Sequence, residues 1–252
     1  MARFEEITRN GTPRCSPRSK PVMAFLQARM GSHRLPGKVL MRIHGRSILE
    51  RAIRRLQAAP IVDEVAVLTT FRKEDDAIVE ECSRLDVLVY RGPEEDVLLR
   101  FYEASEIFKP EIIIRATADN PLIEIGSVDR IVAALRSNDL DLCLEQDLPY
   151  GAATEAITAS ALEKVHLLAS DPRHREHVTL YIWEHPEEFR VSRMRSPDSV
   201  RYPQIRVTVD TLEDFQYVEQ LAGCVVEEGT PLPLCEYLAK ALGDMKEREL
   251  RQ

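Results

Sequence analysis

The chain has 252 residues, of which 44% are hydrophobic and 30% are charged, and its formal net charge at pH 7 is −8. This length can bury the core of one α/β domain, and the acidic balance argues against a protein that binds nucleic acid or anionic membranes. No apolar stretch is long enough to cross a bilayer. The five cysteines show no CxxC spacing and no signal peptide is recognisable, so we expect reduced thiols and a cytoplasmic protein.

The sequence predicts a flexible N-terminal tail followed by a single domain. Residues 1–20 carry glycine and prolines without an apolar period, whereas residues 21–252 alternate apolar runs with segments of helical periodicity. Through residue 144 this alternation is typical of right-handed βαβ units, which build a mostly parallel sheet. The predicted strands are 22–26, 64–70, 87–90, 112–116 and 140–144, and the predicted helices between them are 48–59, 75–85, 97–108 and 127–135.

The second half of the sequence is less regular. It contains the predicted strands 152–158, 189–194 and 205–209 and the predicted helices 159–169, 175–183, 212–221 and 234–248. No repeat or linker divides this half from the first. We therefore expect an α/β fold of three layers, with one doubly wound, mostly parallel sheet between two layers of helices.

The first predicted strand is followed by a loop that concentrates positive charge, QARMGSHRLPGKVL. Arg29, Arg34 and Lys38 lie with two glycines just past the carboxyl end of the strand, where open α/β sheets bind their ligands. One such cation alone would more often only solvate a surface turn. Together, guanidinium groups, an ammonium and free backbone N–H groups can hold a polyphosphate. The spacing matches neither GxxxxGK[ST] nor GxGxxG, so we expect a nucleoside triphosphate loop of another kind.

Two aspartates stand where predicted strands end, Asp119 in RATADNPLI and Asp210 in VTVDTLEDF. A carboxylate at the end of a strand can bind Mg²⁺, which takes one or two carboxylates besides substrate phosphates. Asp119 could instead only satisfy the backbone of a turn. In the second motif, Thr211 and Asp214 can form the capping box of the next helix, which leaves Asp210 unexplained.

These motifs, in this order, resemble those of the cytidylyltransferases related to CMP-KDO and CMP-acylneuraminate synthetases. Within that family the sequence is most similar to the SpsF-like branch, the type of spore coat polysaccharide biosynthesis protein F. The resemblance extends from about residue 21 to residue 224. It implies a nucleotide-diphospho-sugar transferase-like, Rossmann-like fold and an enzyme that joins CTP to a sugar acid or related acceptor, with release of pyrophosphate, for surface polysaccharide biosynthesis. It also implies Mg²⁺ as cofactor, a small acidic sugar-like acceptor and a homodimer.

The resemblance further implies roles for individual residues. Asp119 and Asp210 would hold the metal, Arg34 and Lys38 the β- and γ-phosphates, and Arg29 the α-phosphate; these five are the expected catalytic residues. The residues expected to contact the nucleotide are Gln27, Ala28, Arg29, Gly31, Ser32, Arg34, Lys38, Arg91, Arg115 and Thr117, with Asp96 beside Arg91. The residues expected to contact the acceptor are Gly151, Glu155, Arg175 and His177, although ordinary surface positions would also explain Glu155 and Arg175.

The sequence departs from the family pattern at two alanines. Ala118 stands where glycine is usual, and Ala153 stands where an aspartate is common. Two other functions therefore stay open. A catalytically idle nucleotide-binding homologue would tolerate both alanines. A glycosyltransferase of GT-A-like architecture would use a DxD motif after a strand; Asp139 and Asp141 have that spacing, but they precede a predicted strand.

Overall fold

The computed structural model describes residues 21–223 and 229–249, and for residues 244–249 it describes the backbone alone. The strands are β1 (Val22–Gln27), β2 (Arg42–Ile43), β3 (Arg46–Ser47), β4 (Glu64–Thr70), β5 (Leu88–Gly92), β6 (Ile112–Thr117), β7 (Leu142–Gln146), β8 (Glu155–Thr158) and β9 (Val191–Arg195). The α-helices are α1 (Ile48–Gln57), α2 (Asp76–Arg84), α3 (Val97–Phe108), α4 (Ile125–Ser137), α5 (Ala159–Leu168), α6 (Pro172–Glu176), α7 (Leu180–Glu184), α8 (Leu212–Gly223) and α9 (Leu234–Glu249). Short 3-10 helices lie at Lys38–Leu40, Lys73–Asp75 and Asp198–Val200.

Within the described residues, the central sheet has seven strands in the order β5-β4-β1-β6-β8-β7-β9. The first four of these are mutually parallel, β8 is antiparallel to both of its neighbours, and β9 is parallel to β7. The doubly wound, mostly parallel sheet predicted from the sequence is confirmed. Because parallel strands share an edge at their carboxyl ends, the segments that follow β1 and β6 meet there.

Helices cover both faces of the sheet because β1 is apolar on both sides. Ala24 and Leu26 pack into a hydrophobic cluster with α1, α2 and α4, whereas Met23 and Phe25 pack on the other face with α3, α5 and α7. This alternation is the period of two that an extended strand imposes on its side chains. The three-layer arrangement follows from it.

A third hydrophobic cluster lies at one end of the molecule and holds the last elements in place. It joins α8 and α9 to the extended segment 205–209 and to the start of α1. Ile205, Val207 and Val209 are all buried in it. These alternate side chains explain why the segment has the apolar pattern of a strand.

Two predicted elements are nevertheless wrong. Segment 205–209 is not a strand of the sheet, because its backbone bonds to loops and forms only an isolated bridge between Arg206 and Tyr150. The helix predicted at 175–183 is two short helices, α6 and α7, because His177 leaves the helical conformation (φ −105°, ψ 86°). The β2–β3 hairpin was not predicted. The division into tail and domain stays a prediction, since residues 1–20 lie outside the described residues.

Among the described residues, no helix combines the length and the apolar character that crossing a bilayer requires.

Arg55 on α1 ties the first half of the chain to the second. Its side chain is 1% exposed, and its Nε donates to the carbonyl of Ile123 at 2.5 Å while Nη1 donates to the carbonyl of Leu232 at 2.9 Å. The guanidinium also lies 5.6 Å from the ring centre of Tyr237 on α9. One buried side chain therefore holds the segment before α4 and the segment before α9 against α1.

We expect Arg55→Met to lower the free energy of unfolding by roughly 2–4 kcal/mol, because the carbonyls of Ile123 and Leu232 lose a buried charged donor. Urea unfolding at neutral pH measures this loss. The control is Arg54→Met on the same helix: Arg54 is 38% exposed and its partner Glu50 keeps its ion pair with Arg84, so the expected loss is about 0.5 kcal/mol. Equal losses in the two variants would contradict the role given to Arg55.

Candidate functional site

The basic loop, residues 27–40, is anchored between its first two cations, Arg29 and Arg34. Met30 N donates to Asp75 Oδ1 at 2.7 Å, and the Thr70 hydroxyl and N–H both donate to the other oxygen of this buried carboxylate. Gly37 adopts φ +71°, which favours glycine, and its N–H closes the loop on the carbonyl of Met30 at 3.0 Å. The loop is therefore held at the end of β4 as well as at the end of β1.

Lys38 joins the two aspartates that the sequence singled out. It opens a 3-10 helix and is 7% exposed, and its Nζ lies 2.9 Å from Asp119 Oδ2 and 2.9 Å from Asp210 Oδ1. Arg34 Nη2 lies 3.0 Å from the same Asp210 oxygen, and Arg206 Nη2 lies 2.6 Å from the other. We call Asp119 and Asp210 the carboxylate pair.

The charges around Asp210 keep it ionised. Burial by itself would raise the pKa of this carboxyl, but the hydrogen bond and charge of Lys38, aided by Arg34 and Arg206, hold the pKa below its ordinary value of 3.8. A lowered pKa in the folded state means a contribution to stability that is present above the ordinary pKa and is lost as the pH falls through the lowered value.

A close backbone contact brings Asp210 to Asp119. Val209 N donates to the carbonyl of Asp119 at 2.9 Å, and Tyr150 exchanges backbone hydrogen bonds with segment 205–209. Gly151 makes this approach possible: its φ is +96°, and a Cβ at this position would lie 2.6 Å from the backbone N of Thr208. Any larger residue at position 151 must displace the segment that carries Asp210.

The predicted capping box is present at the start of α8. Asp214 N donates to Thr211 Oγ1 at 3.2 Å, and Asp214 Oδ2 accepts the N–H groups of Thr211 and Asp210 at 3.0 and 2.9 Å. Arg206 Nε lies 2.9 Å from the remaining Asp214 oxygen. The box thus fixes the backbone of Asp210 and engages the guanidinium that also contacts its side chain.

Two adjoining cavities meet at the carboxylate pair. The first, which we call the loop cavity, has a volume of about 280 Å³, and the second cavity has a volume of about 500 Å³. Thr117, Asp119 and Asp210 line both. The loop cavity brings together these residues expected to contact a nucleotide: Gln27, Ala28, Arg29, Gly31, Ser32, Arg34, Lys38 and Thr117.

Arg91 and Arg115 do not line the loop cavity and have partners inside the protein. Arg91 donates to the carbonyls of Thr70 and Arg72 at 2.7 and 2.8 Å, and its Nη1 lies 2.6 Å from Asp76. Arg115 Nη1 donates to a Glu155 oxygen at 2.9 Å. Contact of these two arginines with a nucleotide stays a prediction.

Of the four residues expected to contact an acceptor, Gly151 lines the second cavity. The Glu155 carboxylate accepts hydrogen bonds from Thr179 at 2.9 Å and Trp183 at 3.2 Å besides that from Arg115, so it ties β8 to β6 and α7. Arg175 lies 2.6 Å from Asp96, and His177 is exposed at the end of α6. Their contact with an acceptor also stays a prediction.

Sequence reasoning missed several residues that lie at these cavities. They are His33 and Val39 in the loop cavity, Asn120, Glu145, Asp147 and Thr208 in the second cavity, and Arg206 beside the carboxylate pair. His33 lies inside the predicted loop motif, so the motif itself could have indicated it. Glu145, Asp147 and Arg206 carried no such signal, because contacts between distant segments alone place them here.

The carboxylate pair has the donor chemistry that Mg²⁺ requires. Within residues 21–223 and 229–249, no group of three or more histidine, cysteine or acidic side chains is placed to hold a metal by itself. Two carboxylates beside a loop rich in cations suffice for Mg²⁺, which completes its shell with water and substrate phosphates. The residues present therefore fit this ion when it arrives with a polyphosphate.

We expect Lys38→Met to lower the free energy of unfolding at neutral pH by roughly 1.5–3 kcal/mol, because two half-buried carboxylates lose the cation between them. The difference from wild type should shrink at about pH 3, as the pH falls through the lowered pKa of Asp210. Urea titrations at both pH values measure this. Arg34→Met is the control, because the Arg34 side chain is 64% exposed and should contribute less than about 0.5 kcal/mol. A loss that does not depend on pH would contradict the assignment.

Gly151→Ala should disturb the site and the fold together. The φ of +96° alone costs an alanine about 1–3 kcal/mol, and the clash with Thr208 adds to that. We expect a lower melting temperature and loss of the carboxylate pair's geometry. Gly229→Ala is the control for the effect of φ alone: Gly229 also has a positive φ (+91°), but no atom of the described residues lies within 4 Å of an added Cβ. A crystal structure of Gly151→Ala with Asp210 unmoved would refute the packing argument.

Comparison with known proteins shows the family to which the chain belongs. A family model for cytidylyltransferases matches residues 23–241. The uncharacterised protein MJ1063 of Methanocaldococcus jannaschii is 42% identical over 79% of this chain and 82% of its own. The spore coat polysaccharide biosynthesis protein SpsF of Bacillus subtilis is 34% identical over 79% of this chain and 85% of its own.

A solved structure shows the same fold. The chain superimposes on a cytidylyltransferase from Leptospira borgpetersenii with a TM-score of 0.83 and 28% sequence identity, covering 90% of this chain and 96% of that one. The nucleotidyltransferase-type sheet, the basic loop after its first strand and the match to the family model lead to one conclusion. The chain belongs to the cytidylyltransferase family and is an SpsF-like nucleotidyltransferase.

Proposed function

We propose that this enzyme transfers the cytidylyl group of CTP to a hydroxyl of a sugar-like acceptor, with release of pyrophosphate, in surface polysaccharide biosynthesis. The observation that carries the proposal is the junction of the two cavities at the carboxylate pair. The loop cavity offers cations for a triphosphate, and the second cavity offers room for an acceptor. A sugar acid as acceptor, Mg²⁺ dependence, a cytoplasmic location and a homodimer are implied by resemblance to the family.

The loop cavity is suited to the triphosphate because its cations come from one short segment. Arg29 and Arg34 are exposed there, and Lys38 lies at its floor. Arginine can contact two phosphate oxygens at once, whereas lysine acts as a point charge. These side chains stabilise the charge that develops on the departing pyrophosphate, which is the part of the reaction that preorganised cations assist most.

The carboxylate pair marks where the α-phosphate would lie, between the loop cavity and the second cavity. An acceptor oxygen entering from the second cavity can attack the α-phosphorus in line with the bond to the leaving pyrophosphate. Mg²⁺ held by Asp119 and Asp210 would neutralise phosphate oxygens and polarise the α-phosphate. Lys38 and Arg34, which contact the pair in this structure, lie within the same cavity as the phosphates they would bind. No protein nucleophile is needed.

The geometry does not favour a glycosyltransferase. Asp139 and Asp141 precede β7, at the edge of the sheet opposite to the carboxyl ends of β1 and β6, and both pair with Arg190. Asp139 is 87% exposed. A DxD metal site at the carboxylate pair is therefore not formed by these residues.

Asp210→Asn should lower the rate of pyrophosphate release by on the order of 100-fold, because it removes half of the charge that binds the metal. Release is measured with CTP, Mg²⁺ and a panel of candidate acceptors. Glu213→Gln, an exposed neighbour on α8, is the control and should keep wild-type activity. The CTP-induced rise in melting temperature should persist in both variants. Full activity in Asp210→Asn would refute the metal assignment, and a wild-type protein that binds CTP without turnover of any acceptor would favour the idle homologue.

A further inference from the structure

The second cavity has an unusual charge for a site expected to accept a sugar acid. Its lining includes Glu145, Asp147 and the carboxylate pair, and none of the lining residues in the described chain is lysine, arginine or histidine. Its volume of about 500 Å³ is in the range of small-molecule sites. The cavity is therefore large enough for a monosaccharide and carries only acidic charge.

Most of this acidic charge is already balanced by neighbouring cations. Glu145 is 2% exposed and accepts two hydrogen bonds from Arg130, at 2.5 and 2.9 Å. The carboxylate pair contacts Lys38, and Asp210 also contacts Arg34 and Arg206, as described above. These groups leave little net charge for an acceptor to meet.

The remaining acidic residue of the cavity, Asp147, is not balanced by a neighbouring cation in this way. It follows β7 directly, is half-buried, and in residues 21–223 and 229–249 its carboxylate has no hydrogen-bond or ion-pair partner. Its backbone is held at φ +66°, a conformation that aspartate and asparagine tolerate better than most residues. The cavity thus presents one uncompensated carboxylate to whatever binds in it.

A further cation beside the cavity, Arg206, is not available to an acceptor. Arg206 lies 4.8 Å from the ring centre of Tyr150, which lines the cavity, but its guanidinium is engaged by Asp210 and Asp214. An acceptor carboxylate beside Asp147 would face a like charge that has no counter-charge, and like charges placed together weaken binding. An ammonium or hydroxyl group would instead donate to Asp147.

Resting on the proposed function, we propose that the acceptor presents an ammonium or hydroxyl donor to the second cavity, and no carboxylate, and that Asp147 selects this class. The acceptor is then an amino sugar or a neutral sugar in place of the sugar acid that the family resemblance implies. Asp147 acts on specificity and takes no part in the transfer itself.

The test compares three probes that share one pyranose ring: glucosamine, glucose and glucuronate. Their affinities for the full-length enzyme with CTP and Ca²⁺ in place of Mg²⁺ are measured by titration with NMR detection. Wild type should bind glucosamine most tightly and glucuronate most weakly. Asp147→Asn, which tolerates the same backbone conformation, should lose the preference for glucosamine over glucose. Asp147→Lys should raise the affinity for glucuronate relative to that for glucosamine by roughly tenfold or more; tenfold is equivalent to about 1.4 kcal/mol.

Asp139→Asn is the matched control, because Asp139 also has a positive φ (+51°) but lies at the opposite edge of the sheet. It should leave all three affinities unchanged. Tighter binding of glucuronate than of glucosamine by wild type, unchanged selectivity in Asp147→Asn, or no detectable binding of glucosamine overturns the assignment. CTP affinity, measured separately by calorimetry, distinguishes the two proposals: a wild type that does not bind CTP refutes the proposed function, whereas CTP binding with a preference for glucuronate refutes the acceptor class alone.

Discussion

The ammonium of Lys38 between Asp119 and Asp210 is the contact on which the rest of the site depends. Asp119 and Asp210 lie 81 and 172 positions after Lys38 along the chain, yet each carboxylate lies 2.9 Å from the Lys38 nitrogen. Two negatively charged carboxylates brought this close without a cation between them would repel each other. The buried lysine thus allows strand β6, the basic loop and segment 205–209 to meet. The two cavities form where these three segments come together.

The sequence indicated the parts of this arrangement that depend on local pattern. The apolar run of β1 predicted a strand buried on both faces, and the cations after it predicted a loop at the edge where parallel strands end. Asp119 and Asp210 could be proposed because each follows an extended segment, and the carboxyl ends of parallel strands share one edge. Their meeting with Lys38 agrees with that reasoning.

Other parts could not be predicted because they depend on contacts between distant segments. The apolar alternation at 205–209 resembles that of a strand, but it arises because Val207 and Val209 pack beside α8 and α9. Nothing near Gly151 in sequence shows that Thr208 will lie against it. Asp147 likewise has no motif around it. Its proposed role in acceptor selection depends on its position in the lining of the second cavity, which only the structure shows. The period of apolar residues in a sequence indicates which side chains are buried. It does not indicate which other segment of the chain will form the backbone hydrogen bonds.

The capping box at the start of α8 also couples the position of that helix to the position of Asp210. The carboxylate of Asp214 holds the N–H groups of Asp210 and Thr211, so the first turn of the helix and the aspartate before it form one rigid unit. The far end of α8 packs through Val218 and Leu221 in the cluster shared with α9. A tilt of the helix in that cluster is therefore transmitted to Asp210, about three turns away. Packing far from the cavities is thereby coupled to the position of one of the two carboxylates that would hold a cation.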